Sequence, residues 1–92
     1  MPPESYRIVF AAGVRRNLQR LASAVVWACL EFIDGPITDN PQRVGKPLDS
    51  PFAGSHAARR GAAATRVMYR FNPDTHTVEI LRIDHRADVY RP

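Results

Sequence analysis

The segment Tyr6-Arg7-Ile8-Val9-Phe10 is rich in aromatic and β-branched residues and alternates weakly, which predicts a first strand. Val14, Leu18 and Leu21 follow at spacings of four and three, one face of a helix, with Arg15, Arg16, Gln19 and Arg20 on its other faces. Gly13 leaves the start of that helix open. Ser23 is placed to cap a second helix running through Ala24 to about Ile33. This helix is apolar on nearly every side and is expected to be the more deeply buried of the two. Asp34-Gly35-Pro36 reads as a stop, a glycine for a left-handed cap and then a proline. Two helices so close in sequence form an antiparallel hairpin.

Residues 36 to 55 hold Pro36, Pro41, Pro47 and Pro51 together with Gly45 and Gly54, and predict a long, stiffened loop. Loops of that length in small domains are usually functional or disordered. Arg43 and Lys46 sit in it and would contribute to a binding surface. His56-Ala57-Ala58-Arg59-Arg60 suits a short strand. Thr65 to Phe71 is a clear one, with Val67, Tyr69 and Phe71 on one face and Arg66, Met68 and Arg70 on the other. Asn72-Pro73-Asp74 makes a turn, and Thr77 to Ile83 returns with Val78 and Ile80 on one face and Leu81 and Ile83 on the other. The expected fold is α+β, in the order β-α-α-β-β-β, with a helical hairpin packed on a small, largely antiparallel sheet. The pairing of the last two strands stays open. A five-residue loop sets Phe71 against Thr77 and Arg66 against Arg82, an unfavourable like-charge pair; a four-residue loop sets Arg66 against Leu81.

Ninety-two residues make one small domain, expected to span 1–92, and a composition 45% hydrophobic and 24% charged is that of an ordinary globular protein. Charge changes the picture more. The net charge is +4, the isoelectric point is about 10.0, and Lys46 is the only lysine among 13 basic residues. Arginine makes planar, bidentate contacts to phosphate and stacks on bases, so a polyanionic partner follows, nucleic acid or an acidic protein segment. An arginine-rich proteome explains the ratio of arginine to lysine equally well. Cys29, the only cysteine, stands in the apolar run Val26-Trp27-Ala28-Cys29-Leu30 and reads as core; no internal disulfide or cysteine metal cluster can form. The N-terminus does not read as a signal peptide, and the run from Ala24 to Leu30 is too short to span a bilayer, so a cytosolic protein without membrane contact is expected.

The C-terminal stretch Ile83-Asp84-His85-Arg86-Ala87-Asp88-Val89-Tyr90-Arg91 gathers an imidazole, guanidiniums and a phenol directly after a strand. A solvated charged tail is the ordinary reading of such a stretch. The same groups suit phosphate chemistry on RNA: cations for the phosphate and titratable groups for proton transfer. No cluster of metal ligands is evident, and no cofactor is called for.

Taken in order, Tyr6-Arg7-Ile8-Val9-Phe10, Arg16 to Leu21, Asn40-Pro41-Gln42-Arg43-Val44-Gly45-Lys46-Pro47-Leu48, Ala58-Arg59-Arg60-Gly61, Arg66-Val67-Met68-Tyr69-Arg70 and His85 to Arg91 resemble the RelE/ParE superfamily of bacterial toxins. Within it, the chain resembles the RelE-like mRNA interferases, in particular actinobacterial members whose C-termini read His-Arg-x-Asp-hydrophobic-Tyr. Each motif alone is weak; the ordered set covers nearly the whole chain. The resemblance implies the toxin of a type II toxin–antitoxin system, a ribosome-dependent endoribonuclease that works without a metal. A 2′-hydroxyl of mRNA would attack the adjacent phosphate, leaving a cyclic phosphate and a free 5′-hydroxyl. Its partners would be the ribosome, mRNA and a cognate antitoxin, the last in a hetero-oligomer.

The family's strand arginine falls on Arg66, which would stabilise phosphate. His85 matches a C-terminal histidine suited to acid–base work, Arg86 the C-terminal catalytic arginine, and Tyr90 a tyrosine that would move a proton or stack on a base. Where RelE-like toxins carry lysines on the second strand, this chain offers Arg59 and Arg60; with Arg43, Lys46, Arg70 and Arg82 they complete the expected RNA-binding set. Arginine is a good phosphate clamp and a poor base, which shifts any base role to His85 or Tyr90. One departure stands out. The family usually reads Arg-Gly, one residue, then Tyr-Arg, whereas here Arg60-Gly61-Ala62-Ala63-Ala64-Thr65-Arg66 is longer by two and lacks the tyrosine. Two alternatives stay open: a ParE-like gyrase inhibitor, and a weakened or inactive relative that only binds.

Overall fold

A computed structural model of the protein describes residues 5–60 and 65–85, the side chain of Arg60 excepted. Strand β1 (Arg7–Phe10) leads into helices α1 (Val14–Gln19) and α2 (Ser23–Phe32). A π-helical turn (Ile33–Ile37), helix α3 (Pro41–Val44) and strands β2 (Lys46–Pro47), β3 (His56–Arg60), β4 (Thr65–Asn72) and β5 (Thr77–His85) follow. The strands form one sheet in the order β1-β5-β4-β3-β2. Every pairing is antiparallel except that of β1 with β5, which is parallel, so the first strand lies beside the last and the helices between them cover one face. The fold is thus α+β with a helical layer on a mixed sheet, as expected.

The core lies between the two layers. Val14, Cys29, Ile33 and Ile37 from the helical side meet Ala58, Val67, Tyr69, Val78, Ile80 and Ile83 from the sheet. Burial of this apolar surface is the main term holding the layers together. The expectation that α2 would be deeply buried is corrected. Only Cys29 is fully buried there, and Trp27 is 68% exposed. A helix has one stripe that can face a sheet, so apolar residues on its other sides stay in solvent. Ser23 is the first helical residue and not the cap; Ala22 holds the N-cap position and accepts from the N–H groups of Val25 and Val26.

Asp34-Gly35-Pro36 does not end the helical path. The chain winds on through the π turn, with Ile33 and Ile37 both buried. Proline forfeits one backbone bond, and the wider turn accommodates it. The Thr38 hydroxyl donates to the Asp34 carbonyl at 2.8 Å, supplying a donor there. The long loop predicted for 36 to 55 is accordingly shorter: it contains α3 and the edge strand β2, where Pro47 is tolerated because an edge residue can spare its N–H. Tyr69 ties this region to the sheet, its hydroxyl donating to the Pro41 carbonyl at 2.6 Å.

Neither of the two expected hairpin registers is realised. Asn72 pairs with Thr77, so the turn is Pro73 to His76, and the Asn72 side chain accepts from the N–H of Asp74 at 2.8 Å. His76 closes the turn at φ 55° and stacks on Tyr6 at 4.4 Å. Pairing then runs Phe71–Val78, Arg70–Glu79 and Tyr69–Ile80, and resumes at Met68–Arg82, leaving Leu81 as an extra residue in β5. This bulge resolves the conflict in the β5 pattern. It returns Ile83 to the buried face shared by Val78 and Ile80, and it sets Asp84, not Arg82 or Leu81, opposite Arg66.

Candidate functional site

With helices on one face, the other face of the sheet is open, and alternation along the paired strands decides what it shows. Arg7, Lys46, Arg59, Arg66, Arg70 and Arg82 fall on it, with Glu79 and Asp84 as the facing carboxylates. Arg59, Arg66 and Asp84 stand side by side on β3, β4 and β5. Arg82 sits two positions before Asp84 and donates from Nε to its Oδ1 at 2.9 Å, while a terminal nitrogen of Arg66 lies 3.7 Å from its Oδ2. Arg70 and Glu79 pair at 2.9 Å across the same two strands. Met68 is nearly buried at the middle of this face. The sheet therefore presents a band of cations whose charge is only partly answered by its own carboxylates.

The expected site residues divide as follows. Arg66, Arg59, Arg70, Arg82 and Lys46 share the open face. Arg43 lies in the last turn of α3 and is exposed. His85 is not on the same face as Arg66: it pairs with Thr65, one step along, and so falls on the helix side. There its Nδ1 is 2.8 Å from the Thr65 hydroxyl, which leaves Nε2 as the ring nitrogen without that contact. It lines a cleft of about 200 Å³ with Asn17, Arg20, Leu21, Arg82, Ile83 and Asp84. The cleft opens where β1 stops and α1 takes over the edge of β5; Asn17 Oδ1 accepts the Ile83 N–H there at 3.2 Å. Arg86, Tyr90 and the side chain of Arg60 lie outside the described residues, as does the departure at Ala62-Ala63-Ala64.

Sequence reasoning missed Asp84 and Arg20. Arg20 was read as a solvent-facing helix residue, and only the packing of α1 against β5 brings it to the cleft. Asp84 stands in the C-terminal motif itself, but its place against Arg66 depends on a bulge that periodicity does not announce. Among the described residues no three His, Cys, Asp or Glu side chains are grouped as metal ligands would be, and no helix is long and apolar enough to cross a membrane.

Known toxins share this fold and much of this sequence. Toxin RelG of Mycobacterium tuberculosis is 44% identical over 86 residues, covering 94% of this chain and 97% of its own. Toxin RelE of the same organism is 43% identical over 86 residues, covering 94% and 87%. The chain belongs to the RelE family of toxins. Among solved structures, the crystal structure of the toxin–antitoxin complex RelBE2 from Mycobacterium tuberculosis contains a chain that superposes with a TM-score of 0.86 at 41% identity, covering 94% of this chain and 97% of that one. No protein-family model matches the sequence.

Proposed function

We propose that this toxin is a metal-independent endoribonuclease that cleaves mRNA on the ribosome in the cytoplasm and is held in check by a cognate antitoxin. The observation that supports this best is the cross-strand row of Arg59 and Arg66, with Arg82 beside it on the open face. Guanidiniums held on adjacent strands are spaced for successive oxygens of a phosphate backbone and need no rearrangement to stabilise charge that builds on one of them.

In this reading Arg66 stabilises the pentavalent phosphate formed when the 2′-hydroxyl attacks. Lys46, Arg59, Arg70 and Arg82 hold the flanking backbone, and Arg43 extends the surface past α3. Proton transfer falls to His85 and Tyr90, with Arg86 as a second cation. Because His85 faces the helices, Tyr90 is the better candidate for the proton at the Arg66 phosphate, and His85 serves from the cleft at the end of β5. An antitoxin partner is supported by the 41% identical relative, which was solved as a toxin–antitoxin complex. A second reading, an inactive relative that only binds, draws support from the separation of Arg66 and His85 across the sheet.

Incubation with translating ribosomes followed by mapping of mRNA ends tests the proposal. Cuts bearing a cyclic phosphate and a free 5′-hydroxyl are expected. Intact mRNA with retained ribosome binding would favour the second reading, and inhibited DNA supercoiling without RNA cleavage would replace both with gyrase inhibition.

A further inference from the structure

Among the described residues, Asp84 is the one carboxylate on the open face that touches two guanidiniums. Its two oxygens are divided between them, Oδ1 with Arg82 at 2.9 Å and Oδ2 toward Arg66 at 3.7 Å. A phosphodiester has the same valence: one negative charge spread over two outward oxygens. Arginine forks donate to the oxygens of either group in the same plane. Glu79 differs, since it meets Arg70 alone. The alignment of Asp84 is also not the default of the hairpin. Were Leu81 paired in a regular ladder and not bulged out of it, the register that starts at Asn72–Thr77 would carry Ile83 opposite Arg66.

We infer that Asp84 is a built-in stand-in for the substrate phosphate, holding Arg66 and Arg82 in place until an RNA phosphodiester displaces it. The inference rests on the reading of this face as an RNA-binding surface. A purely structural role explains the arrangement less well. With Asp84 side-chain exposure at 33% and that of Arg66 and Arg82 at 43% and 64%, the triad sits in solvent, where ion pairs add little to stability. What such a carboxylate does is set the competition. It keeps two repelling cations parallel, and it makes isolated RNA exchange one anion for another with little gain. RNA delivered with many simultaneous contacts overcomes that exchange, so the device discriminates against stray strands.

The test is binding of a short 2′-O-methyl RNA oligonucleotide, which cannot be cleaved, to the full chain followed by fluorescence anisotropy. Asp84→Asn should tighten binding about threefold, the size of an exposed ion pair, and steepen its salt dependence. Glu79→Gln should gain clearly less, and the Asp84→Asn gain should vanish in an Arg66→Ala background. Unchanged or weaker binding by Asp84→Asn with a parental melting temperature overturns the inference. So does an equal gain from Glu79→Gln, or a gain that survives Arg66→Ala. If Asp84→Asn lowers the melting temperature, the unaltered chain carries the test: the Arg82 Nε–H resonance must shift as oligonucleotide is added, and an unmoved resonance overturns the role. Cleavage on ribosomes, measured in parallel, keeps the two ideas apart. A chain that does not cleave but shows the Arg66-dependent gain loses the nuclease reading and keeps the stand-in; one that cleaves without the gain does the reverse.

Discussion

The hydroxyl of Tyr69, in the middle of the sheet, donates to the carbonyl of Pro41 at 2.6 Å and so joins β4 to a segment 28 positions earlier. Burial pushes this phenol up to about 12, so it stays protonated, and a donor, across the physiological range. Gly45 lies against the same ring: a side-chain carbon at that position would collide with the Tyr69 hydroxyl and crowd the Ala57 carbonyl.

Two substitutions test this junction. Tyr69→Phe removes the donor and strands a buried carbonyl, which should cost about 1–3 kcal/mol in denaturant unfolding. Gly45→Ala should cost about as much through overpacking. Because part of the collision is with the hydroxyl itself, Gly45→Ala should cost less when Tyr69 is already phenylalanine. Strict additivity of the two would show that the close approach is not felt.

Arg66→Ala should lower mRNA cleavage on translating ribosomes by roughly 10²–10³, the usual loss for one preorganised electrostatic group. Ribosome binding should fall far less, since several other cations share that face. Equal losses in binding and cleavage would make Arg66 a docking residue only.

Tyr90→Phe and His85→Ala separate the proton carriers. Tyr90→Phe keeps the ring and should slow turnover and change its pH profile if the phenol moves a proton. His85→Ala should have the smaller effect, given its place on the helix side. A larger loss at His85 would mean that substrate reaches the reaction through the α1–β5 cleft.

His56 gives the fold a pH dependence. It stacks on Tyr69 at 5.8 Å and meets Phe71 edge-on at 4.9 Å, its Nδ1 is buried without a partner, and burial holds its pKa below the ordinary 6.5. A group whose folded pKa lies below its unfolded value resists protonation in the fold. Its contribution to stability is therefore complete above about pH 6.5 and lost as the pH falls through that value toward the folded pKa. Melting temperatures from pH 8 to pH 5 should drop more steeply for the parent than for His56→Phe, and parallel curves would remove His56 as the cause.

Binding of single-stranded RNA should weaken steeply with salt through counterion release, with a slope on logarithmic axes of about −0.7 for each phosphate neutralised. A flat titration by anisotropy would remove the electrostatic account of the open face.

Much of this was legible in the sequence. The alternation over Thr65 to Phe71 places Val67, Tyr69 and Phe71 on the helix-covered face, and Cys29 is buried as its apolar setting implied. What escaped depends on contacts distant in sequence. The parallel seating of β1 on β5 leaves no local trace. Gly35-Pro36 carries every local mark of a helix end, yet the burial of Ile33 and Ile37 against the sheet prevails over it. The separation of Arg66 and His85 follows from strand parity, and parity could not be assigned without the pairing of Asn72 with Thr77 and the bulge beyond it.

The supernumerary Leu81 is the residue of β5 that the ladder to β4 does not use. Deleting it would bring Arg82 directly after Ile80 and close the bulge with every pair kept: Ile83 would stay inward, Asp84 opposite Arg66, and His85 on its present side. Replacing Leu81 by another residue of similar size leaves the count, and therefore both faces, intact. At this one position the strand can change a letter or drop it and keep both faces; a letter gained or lost anywhere else in β5 is what would turn them over.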